Sequence, residues 1–116
     1  MERDPRALLW DVCEAARLVA VFVADADLAR FESDPMLRSA VERQLEITGE
    51  ALGQLVKLSP ELAAHLPEHR LAIDFRNLLI HGYAVVNRER VWNIALNDLP
   101  RLAQAVRALA DRLDQA

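Results

Sequence analysis

The sequence has little of what builds cross-linked or turn-rich chains: one cysteine, three glycines and 5% aromatic residues in 116 positions. A lone Cys13 forms no internal disulfide, which excludes a disulfide-stapled scaffold and fits a reducing compartment. The longest apolar run, Leu18 to Ala24, falls far short of the roughly 20 residues needed to cross a bilayer. No basic stretch leads into an apolar one at the N-terminus, so no secretory signal is read there and a cytoplasmic location is expected. Positive charge is also not in excess. Fourteen Lys and Arg stand against 18 Asp and Glu, a formal net charge of −4. Non-specific coating of nucleic acid rests on neutralising phosphates with Lys and Arg, so this balance counts against it. It leaves room for a local basic site, with any RNA contact confined to a cleft.

What is present is helix-forming. Hydrophobic residues make up 53% and charged residues 28%, with Ala, Leu, Arg and Glu prominent. These four favour helix, and the mixture is that of a globular chain rather than a disordered one. The length suits one domain over residues 1–116, large enough to bury a core without staples. Proline-marked turns divide it, with no repeat, low-complexity tract or linker.

Asp4-Pro5 is an N-cap followed by proline at the first helical position. Leu8, Leu9, Val12, Cys13, Ala16, Val19, Ala20 and Val23 then recur at three- and four-residue spacing, the pattern of one buried face. Cys13 lies in that stripe and reads as a small core residue. Asp25 to Ser33 reads as a polar connection with room for a helical turn. Asp34-Pro35 repeats the start signal, and the second long helix carries Met36, Leu37, Ala40, Val41, Leu45, Thr48, Ala51, Leu52 and Leu55 on one side. Ser59-Pro60 opens a short piece that Pro67 closes. A third helix is expected from about Glu68 to Ile80, ending near Gly82. Asn87 caps a helix bearing Val91, Trp92 and Ala95. Asp98 and Pro100 restart or kink the chain into a last helix holding Leu102, Val106 and Leu109. Three long and two shorter helices with short connections predict an all-α bundle of four or five helices, packed up-and-down with antiparallel neighbours.

Polar groups crowd into one stretch: Asp74, Arg76, Asn77, His81 and Tyr83, with Phe75, Leu78 and Leu79 to hold it to the core. At about 100° per residue, Asn77 and His81 share nearly one helical face, whereas Arg76 and His81 are about 140° apart and meet only if the arginine bends across. The residue types suit phosphodiester cleavage. Histidine takes or gives protons near neutral pH. Arginine grips phosphate with two hydrogen bonds and a permanent charge where negative charge accumulates in the transition state. Asn77 is placed to orient the imidazole or bind a phosphate oxygen, and Tyr83 offers a phenol for hydrogen bonding or stacking. No metal and no other cofactor is needed. The spacing alone is equally compatible with a packing role, since a histidine at a helix end also gains from the helix dipole.

Arg76-Asn77-x3-His81-Gly82-Tyr83 resembles the Arg-x4-His-x-Tyr motif of HEPN-domain ribonucleases, specifically the HepT-like toxins. Two flanking segments are similar to the same family. One runs from Asp34-Pro35-Met36 into Ala40 to Ala51, and the other is Val91 to Pro100. The resemblance spans nearly the whole chain in order. Departures lie outside the motif: no tryptophan occurs between Pro67 and Asp74, and Phe75 stands where a methionine is common. The resemblance implies the HEPN helical bundle, and a homodimer whose two motifs face a shared cleft. It implies metal-independent endoribonuclease action on RNA by Arg76 and His81, with Asn77 orienting. It further implies a toxin–antitoxin pair, in which an MntA-type nucleotidyltransferase antitoxin attaches AMP groups to Tyr83. Bulk and negative phosphate there would repel RNA and capture Arg76.

Other candidates are weaker. His65 and His69 have a spacing used by zinc sites on helices, but Pro67 lies between them and no further ligand completes a set. Arg43, Glu46 and Glu50 lie at three- and four-residue spacing. An exposed ion-pair row is the ordinary reading, and a role for Glu46 or Glu50 in orienting Arg76 is the functional one. Trp10 and Trp92 are expected in the core or a dimer interface. Two other readings of the chain remain: a non-catalytic nucleotide- or RNA-binding subunit of a nucleotidyltransferase, and a purely structural dimerising bundle.

Overall fold

The computed structural model describes residues 4–66, 69, 73, 76 and 87–115. Two aspartate–proline pairs set the starts of its long helices. Helix α1 spans Pro5–Val23, and the Asp4 carboxylate accepts from the Arg6 N–H at 2.8 Å. Helix α2 spans Leu28–Ser33, where a polar connection with room for a helical turn was expected. Asp27 caps it by accepting from the Arg30 N–H at 2.8 Å, and Phe31 anchors it to the core, fully buried. A six-residue helix with one apolar anchor shows no periodicity, so only its tertiary contact reveals it.

Helix α3, Pro35–Leu58, starts at Asp34, which accepts from both Met36 N–H and Leu37 N–H at 3.1 Å. The short α4 covers Pro60–Ala63, and it ends before Pro67. His69, Ile73 and Arg76 are each helical, in agreement with the third predicted helix; the rest of its expected span and the Gly82 end lie outside the described residues. Helix α5, Arg88–Asn93, is capped by Asn87, whose side-chain oxygen accepts from the Arg90 N–H at 3.0 Å. A π-helical turn, Ile94–Asp98, follows, and α6 runs over Leu99–Gln115. The expected kink at Asp98 is thus a widened turn: the Leu99 N–H reaches back to the Ile94 carbonyl. Among the described residues no strand occurs.

The core lies where α1 packs on α3 and α6. Leu8, Leu9, Val12, Ala15, Val19 and Val23 of α1 meet Val41, Leu45, Leu52 and Leu55 of α3 and Leu102, Val106 and Leu109 of α6. Each fully buried Leu or Val stabilises the fold by about 1.5–3 kcal/mol relative to exposure. Thr48 is the buried polar residue of this face, and its hydroxyl donates to the Gln44 carbonyl at 2.9 Å. Cys13 is half-buried against the core, as expected. Burial pushes its thiol above the usual cysteine value, partly opposed by Arg107. Ala20 and Met36 depart from their expected stripes. Ala20 is exposed, and Met36 is 82% exposed because it sits in the first turn of α3, beyond the reach of α1. Trp92 is buried and meets Phe31 with ring centroids 5.2 Å apart, whereas Trp10 is 64% exposed and no part of the core.

Candidate active site

Arg76 is the described member of the predicted constellation. It is helical and half-buried, three positions after Ile73, which packs against the core. Asn77, His81 and Tyr83, with Gly82, lie outside the described residues. His69 and His65 part company: the His69 Nδ1 lies 2.5 Å from the Leu66 carbonyl, and His65 is exposed. Among the described residues, no three metal-ligating side chains converge.

Among the described residues, no ion pair joins Glu46 or Glu50 to Arg76. Glu46 is held by Arg43 at 3.2 Å, the local pair expected from their spacing. Glu50 is exposed and lines a small cleft of about 150 Å³ with Asp11, Ile47 and Gln54.

Helix α2 packs against both α3 and α5 at one corner. Arg38 of α3 donates to the Phe31 carbonyl at 3.3 Å and also to the Glu32 carbonyl. Arg88 of α5 donates to the same Glu32 carbonyl at 3.2 Å. Two guanidinium groups therefore satisfy the carbonyls left open at the end of α2, as helix C-termini require. Half-buried Glu42 faces both arginines. Burial raises its carboxyl above the usual range, with Glu46 adding and Arg38 and Arg88 opposing.

Beside this corner, α5 and the π turn border a cleft of about 320 Å³. Asn87, Glu89, Arg90, Asn93, Ile94 and Asp98 line it. Sequence reasoning singled out none of these as site residues, apart from Asn87 as a cap. A signal was available: three asparagines at positions 87, 93 and 97 surround a short helix that they do not favour.

A bundle of this construction falls in the class of all-α HEPN domains. A model of the family described as "Ribonuclease HepT-like" matches residues 12–109, and the chain belongs to that family. It is 34% identical over 105 residues to "Putative RNase MJ1380" of Methanocaldococcus jannaschii, covering 90% of this chain and 95% of that one. "Putative RNase MJ0125" of the same organism is 30% identical over 114 residues, 98% of this chain and 97% of the relative. "Probable ribonuclease HepT" of Thermococcus cleftensis is 31% identical over 102 residues, 88% and 92% of the two chains. No solved structure matches. No helix among the described residues is long and apolar enough to cross a membrane.

Proposed function

We propose that this protein is a metal-independent endoribonuclease that cuts RNA with Arg76 and His81. The observation that carries the reading is the Arg76-x4-His81-x-Tyr83 spacing inside the span matched by the ribonuclease family. In this scheme His81 removes the proton of a ribose 2′-hydroxyl, or protonates the leaving oxygen. Arg76 stabilises the negative charge that gathers on the non-bridging oxygens. Asn77 holds the imidazole or a phosphate oxygen. The half-buried position of Arg76 supports its part, because a guanidinium near packed helices keeps a defined direction and is screened less than an exposed one.

The same reading makes the chain the toxin of a toxin–antitoxin pair, working as a homodimer with two motifs across a shared cleft. A twofold axis doubles the local positive charge and gives an acidic chain a basic cleft. The partner is an MntA-type nucleotidyltransferase that attaches AMP to Tyr83. The modification sets phosphate beside Arg76 and His81, competing for the cation that RNA needs.

The test is cleavage of RNA by purified protein in EDTA. His81→Ala is expected to lose on the order of 10²–10⁴-fold in rate. Undiminished cleavage by that variant removes His81 from the mechanism. Complex formation with a nucleotidyltransferase, without cleavage of any RNA, makes the chain a non-catalytic partner subunit instead.

A further inference from the structure

The cleft beside α5 and the π turn has a chemistry of its own. Asp98 is held by Arg101 at 2.6 Å, so its charge is matched. Arg90 and Glu89 are both exposed, and neither enters an ion pair among the described residues. Their opposite charges cancel, so the cleft is polar but close to neutral, and a bare phosphate gains little there.

Among the described residues, its hydrogen-bonding groups are free in a particular pattern. The Asn87 side-chain oxygen is used in the helix cap, leaving its NH₂ group. The Asn93 oxygen accepts from the Asn97 NH₂ at 3.5 Å, leaving the Asn93 NH₂ group as well. Glu89 supplies an unpaired carboxylate four residues before Asn93, on the same helix face. Beneath them lies Ile94, 5% exposed. The π turn widens the helix where these groups gather, and such turns frequently mark functional sites. An apolar floor, two amide donors, a carboxylate acceptor and a guanidinium able to stack match a flat uncharged ring with a hydrogen-bonding edge. The volume sits at the lower end of ordinary small-molecule pockets, about 300 Å³.

We infer that this cleft is a base-recognition subsite for single-stranded RNA, an inference that rests on the ribonuclease reading above. The sequence ties it to the motif: Asn87 follows Tyr83 by four residues and His81 by six. The base bound here belongs to the strand being cut, a short way from the scissile phosphodiester. Glu89 accepts from the exocyclic amine of adenine, cytosine or guanine, and Asn93 donates to a ring nitrogen or carbonyl. Uracil has no such amine; its one donor, the ring N3–H, sits between two carbonyls that repel a carboxylate, so it is disfavoured.

The experiment uses a pool of single-stranded RNA with randomised sequence, and the ends of the cleavage products are sequenced. The unaltered protein is expected to show, at one fixed position near the cut, a preference of about tenfold against uracil, the scale of one hydrogen bond to a charged group. Glu89→Gln presents an amide that can accept or donate, and it is expected to bring that preference within about twofold. Asn93→Ala is expected to raise KM several-fold with less change in kcat, because the lost contact lies away from the reacting atoms. Both side chains are exposed, so the fold tolerates the changes. Cleavage with no base preference at any fixed position, or an unchanged profile for Glu89→Gln, overturns the subsite and leaves the ribonuclease reading standing. No cleavage of any member of the pool by the unaltered protein overturns both.

Discussion

The contact of α1 with α3 and the corner where α2 meets α5 hold the same bundle by different means. Helices α1 and α3 are 19 and 24 residues long and meet along aliphatic stripes, so each stripe residue adds a modest share. Helices α2 and α5 have six residues each. Neither is long enough to stand on helix propensity. They depend on a few specific contacts: the Phe31–Trp92 pair, two arginines on the Glu32 carbonyl, and side-chain caps from Asp27 and Asn87. A long contact tolerates local change because its stabilisation is distributed. A corner built from single contacts is set in place by them, and it is this corner that carries the polar cleft.

The sharpest way to break the comparison is Phe31→Ala. The ring is fully buried and joins the two short helices, so its loss is expected to cost about 3–5 kcal/mol. That is a large part of the roughly 5–15 kcal/mol that typically holds a domain together. Urea denaturation measures it; a loss below about 1 kcal/mol would show that the corner is not held by this pair.

An intermediate effect is expected at Asp34, which serves both regions as the end of α2 and the start of α3. The Leu37 N–H and the Arg30 side chain hold its carboxyl below the ordinary aspartate value. A depressed carboxyl stabilises the fold above the unfolded value, near 4, and loses that contribution as pH falls through the lower folded value. Asp34→Asn keeps the cap and removes the titration. The advantage of aspartate over asparagine, from unfolding midpoints at neutral pH and at pH about 3, is therefore expected to shrink on acidification. A constant difference would show that the titrating charge is not its source.

The smallest change probes the tolerance of the long contact. Gly53 lies inside α3, and among the described residues an added Cβ would meet no atom within 4 Å beyond its neighbours and its own helix backbone. Gly53→Ala is expected to stabilise the protein by about 0.5–1 kcal/mol through helix propensity. A higher thermal midpoint is the readout, and a lower one would mean that this stretch of α3 is closed off in solution.

The two regions also differed in how much of them could be read beforehand. The long helices were legible because repetition makes their buried faces statistical: losing Ala20 or Met36 from a stripe does not move the helix. The starts were legible because Asp-Pro states a local preference that tertiary packing did not overrule at positions 4–5 or 34–35. Helix α2 was legible only as room for a helical turn, because its firmest evidence is one ring finding another 61 positions away. Trp10 shows the converse: of its two expected places, core or dimer interface, its position on α1 denies the core. At the site, the identity and spacing of Arg76, Asn77, His81 and Tyr83 were visible as letters, whereas angles alone left their meeting undecided. The cleft of Glu89, Arg90 and Asn93 left only the three asparagines around α5 as a trace in the sequence, since a concave surface depends on how the turn is wound.

That winding has an evolutionary reading. A π turn holds one residue more than the α-helical turn it replaces, and the surplus is absorbed locally. The flanking stripes, Val91 and Trp92 before it and Leu102 and Val106 after it, therefore keep facing the same core. A single inserted codon can thus reshape the surface above Ile94 without renegotiating the interior.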